Sequence, residues 1–210
     1  MQWTLVIPLK PLVRAKSRLA PAAGGLRPGL ALAFAQDTVA AAGACRAVRD
    51  VVVVTDDARA ARELTALGAR VVPDSPRAGL NAALSHGAAS VRSLRPAAPV
   101  VAMNADLPAL RPVELARVLT AAAAFPRAFL PDAAGIGTTL LCAAPGAELL
   151  PAFGTASRAR HTASGAAELF LDGVDSVRQD VDTGDDLRVA LALGVGPYTA
   201  KATTGLLTVD

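Results

Sequence analysis

The stretch DVVVVTDD, residues 50–57, decides the fold of this chain. Its four consecutive valines, Val51–Val54, show no alternation with polar residues, which is typical of a strand covered on both faces. Such strands occur in parallel sheets with helices packed on both sides. Three polar residues, Thr55, Asp56 and Asp57, follow at the carboxyl end of the strand, where open α/β sheets bind their ligands.

Outward from this strand, short apolar runs alternate with helical patterns. The predicted strands are residues 3–7, 51–54, 71–72, 99–103, 129–130, 137–142 and 174–178. The predicted helices are residues 26–44, 58–67, 80–94, 112–124, 157–167 and 183–193. This β-α-β-α rhythm predicts an α/β fold with a mostly parallel central sheet flanked by helices. Because no repeat or linker divides the sequence, we predict a single domain over residues 1–210.

Composition excludes several classes of protein. The net charge is only +3, and no basic run supports nucleic-acid binding, whereas a small anionic substrate fits such a modest excess. The two cysteines, Cys45 and Cys142, lack CxxC spacing, which argues against a disulfide framework or a zinc site and favours core positions. No apolar stretch approaches the roughly 20 residues that span a bilayer, so we expect no membrane partner and a soluble, cytoplasmic protein.

The polar residues that follow the predicted strands divide by charge. Two of the three lysines, Lys10 and Lys16, follow the first strand, whereas Asp106, Asp180 and Asp182 follow later ones. Lysine binds phosphate as a point charge, and Mg²⁺ prefers carboxylate oxygens together with substrate phosphates. The pattern therefore indicates a nucleotide–metal site. Each residue also has a simpler interpretation: the lysines in a solvated loop, Asp106 in a turn, Asp182 as a helix cap and Asp180 in solvent.

Other nucleotide-binding signatures are missing from the sequence. Neither GxGxxG after the first strand nor GxxxxGK[ST] occurs, which excludes a typical Rossmann dehydrogenase and a P-loop NTPase. Gly154 and Ser157 could form a phosphate-binding turn before a helix. His161 follows this turn and is either part of the site or a histidine on a helix surface. The other histidine, His86, lies in a helical run and is interpreted as structural.

Five motifs, in this order, resemble the guanylyltransferases of coenzyme F-420 biosynthesis, the CofC/FbiD family. They are IPLKPLVRAKSRL (residues 7–19), NADLP (104–108), GTTLL (137–141), FGTASRARH (153–161) and DVDTGDDL (180–187). The resemblance covers nearly the whole chain. The first and last motifs are fairly specific, whereas NADLP also occurs in other nucleotidyltransferases.

The resemblance implies a Rossmann-like, GT-A-like nucleotidyltransferase fold and transfer of GMP from GTP to a phosphorylated three-carbon acid. It assigns Mg²⁺ binding to Asp106, Asp180 and Asp182. It assigns the phosphate and carboxylate of the acceptor to Thr138, Gly154 and Ser157. It assigns the GTP phosphates to Lys10 and Lys16, which with Asp106 form the catalytic set, and places Asn81 near the nucleotide. Residues expected near the base and ribose are Thr55, Asp74 and Gly79.

The possible acceptors differ only in small chemical groups, and an enzyme distinguishes such groups by the shape of its pocket. Phosphoenolpyruvate, 2-phospho-L-lactate and a phosphoglycerate are all compatible with the resemblance. The actinobacterial look of the composition and the motif GTTLL, where archaeal relatives tend to carry Asn after Gly-Thr, favour phosphoenolpyruvate. The product would pass to a downstream transferase of the same pathway. The alternatives are a molybdopterin-type or sugar-phosphate nucleotidyltransferase, and a nucleotide-binding domain without catalytic activity.

Overall fold

A single mixed sheet forms the centre of the protein. The computed structural model describes residues 1–19, 23–75 and 77–204, so the predicted domain is described except at residues 20–22, 76 and 205–210. The strands of the described residues are β1 (Trp3–Pro8), β2 (Val48–Val54), β3 (Arg70–Val72), β4 (Val100–Met103), β5 (Arg127–Pro131), β6 (Thr138–Ala143) and β7 (Ala167–Glu168). Their order in the sheet is β3-β2-β1-β4-β6-β5-β7.

Helices cover both faces of this sheet. Those of four or more residues in the described chain are α1 (Arg27–Gly43), α2 (Ala58–Ala66), α3 (Leu80–Leu94), α4 (Pro112–Ala122), α5 (Ser157–Ala163), α6 (Asp175–Arg178), α7 (Gly184–Leu193) and α8 (Pro197–Thr203). None of the helices in the described ranges is long and apolar enough to cross a membrane.

The valine run forms β2 because both of its faces are buried. Val51 and Val53 pack in one apolar cluster with α1, α2 and α4, whereas Val52 and Val54 pack in a second cluster with α3. Helix α3 approaches the sheet closely at Gly87, where an added Cβ would lie 2.4 Å from a methyl carbon of Val6. The two clusters hold the central strands rigidly and so fix where their carboxyl ends lie.

Most predicted elements are confirmed, with exceptions in the second half. The predicted strand at residues 174–178 is wrong: Val174 caps the short helix α6, and Val174 and Val177 share a buried face at a spacing of three residues. The helix predicted for residues 157–167 ends at Ala163, and Ala167 begins the edge strand β7. Helix α8 was not predicted.

Strand directions bring several segments to one edge of the sheet. β2 and β4 are parallel to β1, and β6 is antiparallel to both β4 and β5. The carboxyl ends of β1, β4 and β5 therefore lie at the same edge as the amino end of β6. The chain order also switches at β1, which lies between β2 and β4, and such switch points form ligand crevices.

Candidate functional site

A cavity of about 620 Å³ opens at this edge of the sheet. The residues of the five resembling motifs that line it are Pro8, Leu9, Lys10, Arg14, Ala15, Lys16, Ser17, Arg18, Asn104, Ala105, Asp106, Gly137, Thr138, Phe153, Gly154, Thr155, Ala156, Ser157, Asp180 and Asp182. The cavity also has Asp132 in its lining. Each of the five motifs thus contributes to one concave surface, although they are far apart in sequence.

The loop after β1 is held by side chains from outside it. The Asp57 carboxylate accepts a hydrogen bond from the Leu12 N–H at 2.9 Å while it caps helix α2. Arg27, at the start of α1, donates to the carbonyl oxygens of Val13, at 2.9 Å, and Ala15. Lys16 itself has a left-handed backbone (φ 55°), which costs energy for a residue that is not glycine. The anchored loop turns the Lys16 side chain into the cavity.

The segment that carries Asp180 and Asp182 is fixed against Asp106 by its backbone. The Val181 N–H donates to the carbonyl oxygen of Asp106 at 3.1 Å. Immediately afterwards, Thr183 caps α7 and forms a capping box with Asp186. The interpretation of Asp182 as the helix cap is therefore wrong, and its carboxylate is left for contacts in the cavity.

These segments form what we call the carboxylate wall: Lys16, Asp106, Asp180 and Asp182. The Lys16 ammonium group contacts the Asp106 carboxylate and lies 2.8 Å from Asp182 Oδ1. The Lys16 and Asp106 side chains are only 11% and 16% exposed. Two further donors lie nearby, because Asn104 Nδ2 is 3.4 Å from Asp180 Oδ2 and Arg18 is 3.6 Å from Asp182.

Charge in the carboxylate wall is not balanced. Burial, together with the neighbouring Asp106 and Asp182, raises the pKa of Asp180 to about 8. Burial alone would lower the pKa of Lys16, but the two carboxylates that it contacts outweigh burial and raise it. Asp106 Oδ1 is buried with no hydrogen-bond partner among the described residues. The negative charges of Asp106 and Asp182 thus disfavour a third on Asp180, and a bound cation would relieve this repulsion.

The residues of the wall fit a divalent cation by their chemistry. Carboxylate oxygens are the ligands that Mg²⁺ prefers, and the unpartnered Asp106 oxygen is available for such a bond. In the described part of the chain, no three His, Cys, Asp or Glu side chains already converge as a metal site. The Lys16 ammonium group lies between Asp106 and Asp182 and acts there as the neutralising cation.

A second part of the cavity lining, which we call the neutral wall, consists of Thr138, Gly154 and Ser157, and the buried His161 contacts Thr138. Thr138 begins β6 and is 4% exposed. Its hydroxyl oxygen lies 3.0 Å from Nδ1 of His161, which is completely buried. Burial, followed by the charges of Arg127 and Arg160, lowers the pKa of His161 to about 4. The interpretation of His161 as a surface histidine is therefore wrong.

A turn before α5 presents Gly154 and Ser157. Gly154 has a left-handed backbone (φ 108°), and its carbonyl oxygen accepts a hydrogen bond from the Ser157 N–H at 3.1 Å. Asn81, on α3, anchors this turn at Phe153: the Phe153 N–H donates to Asn81 Oδ1 at 2.8 Å, and Asn81 Nδ2 donates to the Phe153 carbonyl at 3.1 Å. The turn is therefore held in place from a neighbouring helix.

The structure brings most of the predicted site residues together but separates others from the cavity lining. Residues in the lining are Lys10, Lys16, Asp106, Thr138, Gly154, Ser157, Asp180 and Asp182. The remaining predicted positions, Thr55, Asp74, Gly79 and Asn81, are not part of the lining. Thr55 is buried and accepts from the Asp57 N–H, Asp74 accepts from the Arg77 N–H, and Gly79 precedes α3. The predicted roles of these residues and of Asn81 at the nucleotide stay predictions.

Two residues of the site, Asp132 and Asp57, make contacts that the sequence does not predict. Asp132, which follows β5, accepts hydrogen bonds from the N–H groups of Ile136 and Gly137, at 3.0 and 2.8 Å, and so shapes the turn that leads into Thr138. Its position directly after a buried strand is the signal that could have found it. Asp57 accepts a hydrogen bond from Leu12 in the loop after β1. Its position at the end of the valine run does not predict this partner.

Comparison with known proteins agrees with this architecture. Residues 31–172 match the family model of the MobA-like NTP transferase domain. A phosphoenolpyruvate guanylyltransferase from Streptomyces coelicolor is 76% identical over 99% of this chain and 98% of its own length. One from Thermomonospora curvata is 64% identical over 95% of this chain and 88% of its own.

Solved structures resemble the chain in fold. A putative nucleotide-diphospho-sugar transferase from Desulfovibrio desulfuricans superposes with a TM-score of 0.67 at 17% identity, covering 99% of this chain and 97% of that one. A Mycobacterium tuberculosis protein, Rv0371c, superposes with a TM-score of 0.59 at 26% identity over 91% of this chain and 99% of its own.

Proposed function

This chain belongs to the phosphoenolpyruvate guanylyltransferase family, and we propose that it transfers GMP from GTP to the phosphate of phosphoenolpyruvate. The observation that carries the proposal is the high identity, over nearly the whole chain, to relatives of that name. The products would be enolpyruvyl-diphosphoguanosine and pyrophosphate. We further propose that this product enters coenzyme F-420 biosynthesis through a downstream transferase, as the sequence resemblance implies.

The carboxylate wall is the proposed site of Mg²⁺. Asp106, Asp180 and Asp182 would hold the cation, which when bound supplies charge neutralisation at the triphosphate. The crowding of three carboxylates and the unpartnered Asp106 oxygen support this assignment. Lys16 would then be released from the carboxylates to contact a phosphate group of GTP, which explains why a strained loop presents it.

Basic side chains beside this wall would bind the triphosphate. Lys10 and Arg14 are exposed and line the cavity together with Arg18. They would attract the anionic nucleotide through side-chain charge, in contrast to sites in which a glycine-rich loop cradles phosphate with backbone N–H groups.

The neutral wall would hold the acceptor. Thr138 and Ser157 offer hydroxyl groups, and the turn at Gly154 brings backbone close to the cavity. A phosphate oxygen of the acceptor would attack the α-phosphorus of GTP in line, forming a P–O bond as the bond to pyrophosphate breaks. This nucleophile is already ionised at neutral pH, so the reaction needs positioning and charge stabilisation more than a general base.

Pyrophosphate release tests the proposal directly. The purified protein would be assayed with GTP and Mg²⁺ and with phosphoenolpyruvate, 2-phospho-L-lactate or 3-phosphoglycerate as the acceptor. We expect fast release with phosphoenolpyruvate and slow release with the other two. The matched controls replace GTP by ATP or CTP, and phosphorus NMR would identify the new diphosphate linkage. A faster reaction with another acceptor, or no reaction with phosphoenolpyruvate, would contradict the proposal.

A further inference from the structure

His161 is a buried histidine that the proposed reaction leaves without a role. Its ring packs between Phe129 and Phe153, with centroid distances of 5.6 and 5.1 Å. Both ring nitrogens have partners: Nδ1 lies 3.0 Å from the Thr138 hydroxyl oxygen, and Nε2 lies 3.0 Å from the backbone nitrogen of Ala152. The ring therefore has one fixed orientation.

The partner at Nε2 determines which nitrogen carries the proton. The Ala152 N–H can only donate, so Nε2 must accept and carries no hydrogen. A neutral ring then has its proton on Nδ1, and Nδ1–H donates to the Thr138 hydroxyl oxygen. The low pKa of His161, caused by burial and by Arg127 and Arg160, supports a neutral ring at neutral pH.

This arrangement fixes the polarity of the Thr138 hydroxyl. Its oxygen accepts from His161, so its own hydrogen is not used in that bond. Among the described residues, His161 is the one hydrogen-bond partner of this hydroxyl, and Thr138 lines the cavity. The hydroxyl hydrogen is thus available to a ligand there. With the opposite tautomer, Thr138 would donate to the ring and present only lone pairs to an anion.

We propose that His161 is a positioning residue that holds the Thr138 hydroxyl as a hydrogen-bond donor to the anionic acceptor of the transfer reaction. The inference rests on the proposed function, because it deepens the role of the neutral wall. His161 does not touch the acceptor; it acts through Thr138. We expect the effect on the acceptor and not on GTP, because the proposed function assigns GTP to the carboxylate wall and its basic neighbours.

Two variants separate the functions of the two ring nitrogens. His161→Asn places an amide NH₂ near the position of Nδ1, so it keeps the donor to Thr138 and loses the partner of Ala152. His161→Gln places an oxygen near the position of Nε2, so it keeps the partner of Ala152 and loses the donor. A hydrogen bond to a charged group is worth enough to change binding about tenfold or more. We expect His161→Gln to raise the KM for phosphoenolpyruvate about tenfold, while the KM for GTP changes no more than about twofold. In His161→Asn, which keeps the donor to Thr138, the KM for phosphoenolpyruvate should stay close to that of the unsubstituted protein.

A double-mutant cycle tests whether the effect runs through the hydroxyl. Thr138→Val removes the hydroxyl with little change in shape, and Thr138→Ser restores it. In the Thr138→Val background, His161→Gln should raise the KM for phosphoenolpyruvate less than about twofold further. Additive effects, an equal rise in the KM for GTP, or an unchanged KM in His161→Gln would each overturn the proposal.

The tautomer can be measured without any assay. Since His86 is the other histidine of the chain, His86→Gln leaves a single imidazole to observe by ¹⁵N NMR, in a protein with His161 intact. We expect a neutral ring with the proton on Nδ1. A proton on Nε2 would overturn the proposal, even if a His161 variant fails to fold. Absence of phosphoenolpyruvate turnover in the unsubstituted protein would instead contradict the proposed function and leave the tautomer result standing.

Discussion

The two walls of the cavity differ in how complete they are without a ligand. In the carboxylate wall, Lys16 contacts two carboxylates, Asp180 lies near both of them, and a buried Asp106 oxygen has no partner among the described residues. In the neutral wall, both nitrogens of His161 are bonded and the turn at Phe153 is held at both backbone atoms. The first wall thus has an unpartnered buried oxygen, whereas the polar groups of the second are paired. In the proposed function, the first wall binds by charge with a cation, and the second recognises the acceptor.

The strongest test of this contrast is loss of a carboxylate. Asp106→Asn should reduce pyrophosphate release about 10³-fold, because neutralisation by a bound cation is worth several kcal/mol in such reactions. Steady-state rates over a range of Mg²⁺ concentrations would measure the loss. The matched control is Asp185→Asn, which makes the same change at an exposed aspartate on α7 and should keep the rate. Near-normal release from Asp106→Asn would contradict the role of the carboxylate wall.

The next test concerns the cation that the wall already contains. Lys16→Met leaves Asp106 without its ion-pair partner and Asp182 with only the exposed Arg18. We therefore expect the free energy of unfolding to fall by about 3 kcal/mol when a chelator is present. Added Mg²⁺ should recover more stability in this variant than in the unsubstituted protein, because it replaces the missing charge. Urea unfolding with and without Mg²⁺ measures both quantities.

Lys10 provides the control for that experiment. It lies in the same loop but is exposed, so Lys10→Met should change the free energy of unfolding by no more than about 0.5 kcal/mol. If Lys16→Met loses no more stability than Lys10→Met, the Lys16 ammonium group does not neutralise the carboxylates in solution.

The third test applies to the neutral wall and uses pH. The pKa of His161 is lowered from an ordinary 6.5 to about 4 in the folded protein. Between pH 6.5 and 4, the histidine of the unfolded chain therefore binds a proton that the folded protein does not. Stability is therefore lost as the pH falls below about 6.5. In the His86→Gln background, we expect acidification from pH 7.5 to 5 to cost about 2 kcal/mol more with His161 than with His161→Asn. Arg127 and Arg160 are the charged groups near the ring. Equal pH dependence of the two proteins would show that the ring is not held neutral.

Sequence reasoning recovered the parts of the molecule that depend on local patterns. The run Val51–Val54 predicted a strand buried on both faces, and strand ends predicted where Lys10, Lys16 and Asp106 would lie. The strand expected before Asp180 and Asp182 is helix α6, so their place in the cavity did not follow from a strand end. Sequence reasoning failed at α8, because that helix is capped from afar: the Asp37 carboxylate accepts from the N–H groups of Tyr198 and Thr199. No local pattern shows such a partner. It also failed at residues 174–178, where the three-residue spacing of the two valines is helical and was interpreted as a strand.

Within the site, too, local patterns were predictable from the sequence and contacts between distant residues were not. The order of the motifs indicated the carboxylate wall, since each aspartate follows a strand or precedes a helix. The contact between Lys16 and Asp106 could not be predicted, because it joins residues 90 positions apart through a loop anchored by Asp57 and Arg27. Likewise, the buried position of His161 depends on Phe129, in β5, and on Phe153, in the loop before α5. Both features depend on side-chain contacts between distant segments, which the pattern of strands and helices does not show.

The smallest predicted effect distinguishes two interpretations of Asn81. The resemblance places it near the nucleotide, whereas its amide is bonded to the backbone of Phe153, beside the turn that carries Gly154. Asn81→Ala removes both of these bonds and leaves Arg160 as the donor to the Phe153 carbonyl oxygen, so the turn is held less firmly. We expect the KM for phosphoenolpyruvate to rise about fivefold, close to 1 kcal/mol, with the KM for GTP unchanged. Ser85→Ala, at an exposed position one helical turn along α3, should leave both constants unchanged. A rise confined to the KM for GTP would favour the nucleotide role and would show that the neutral wall does not depend on this anchor.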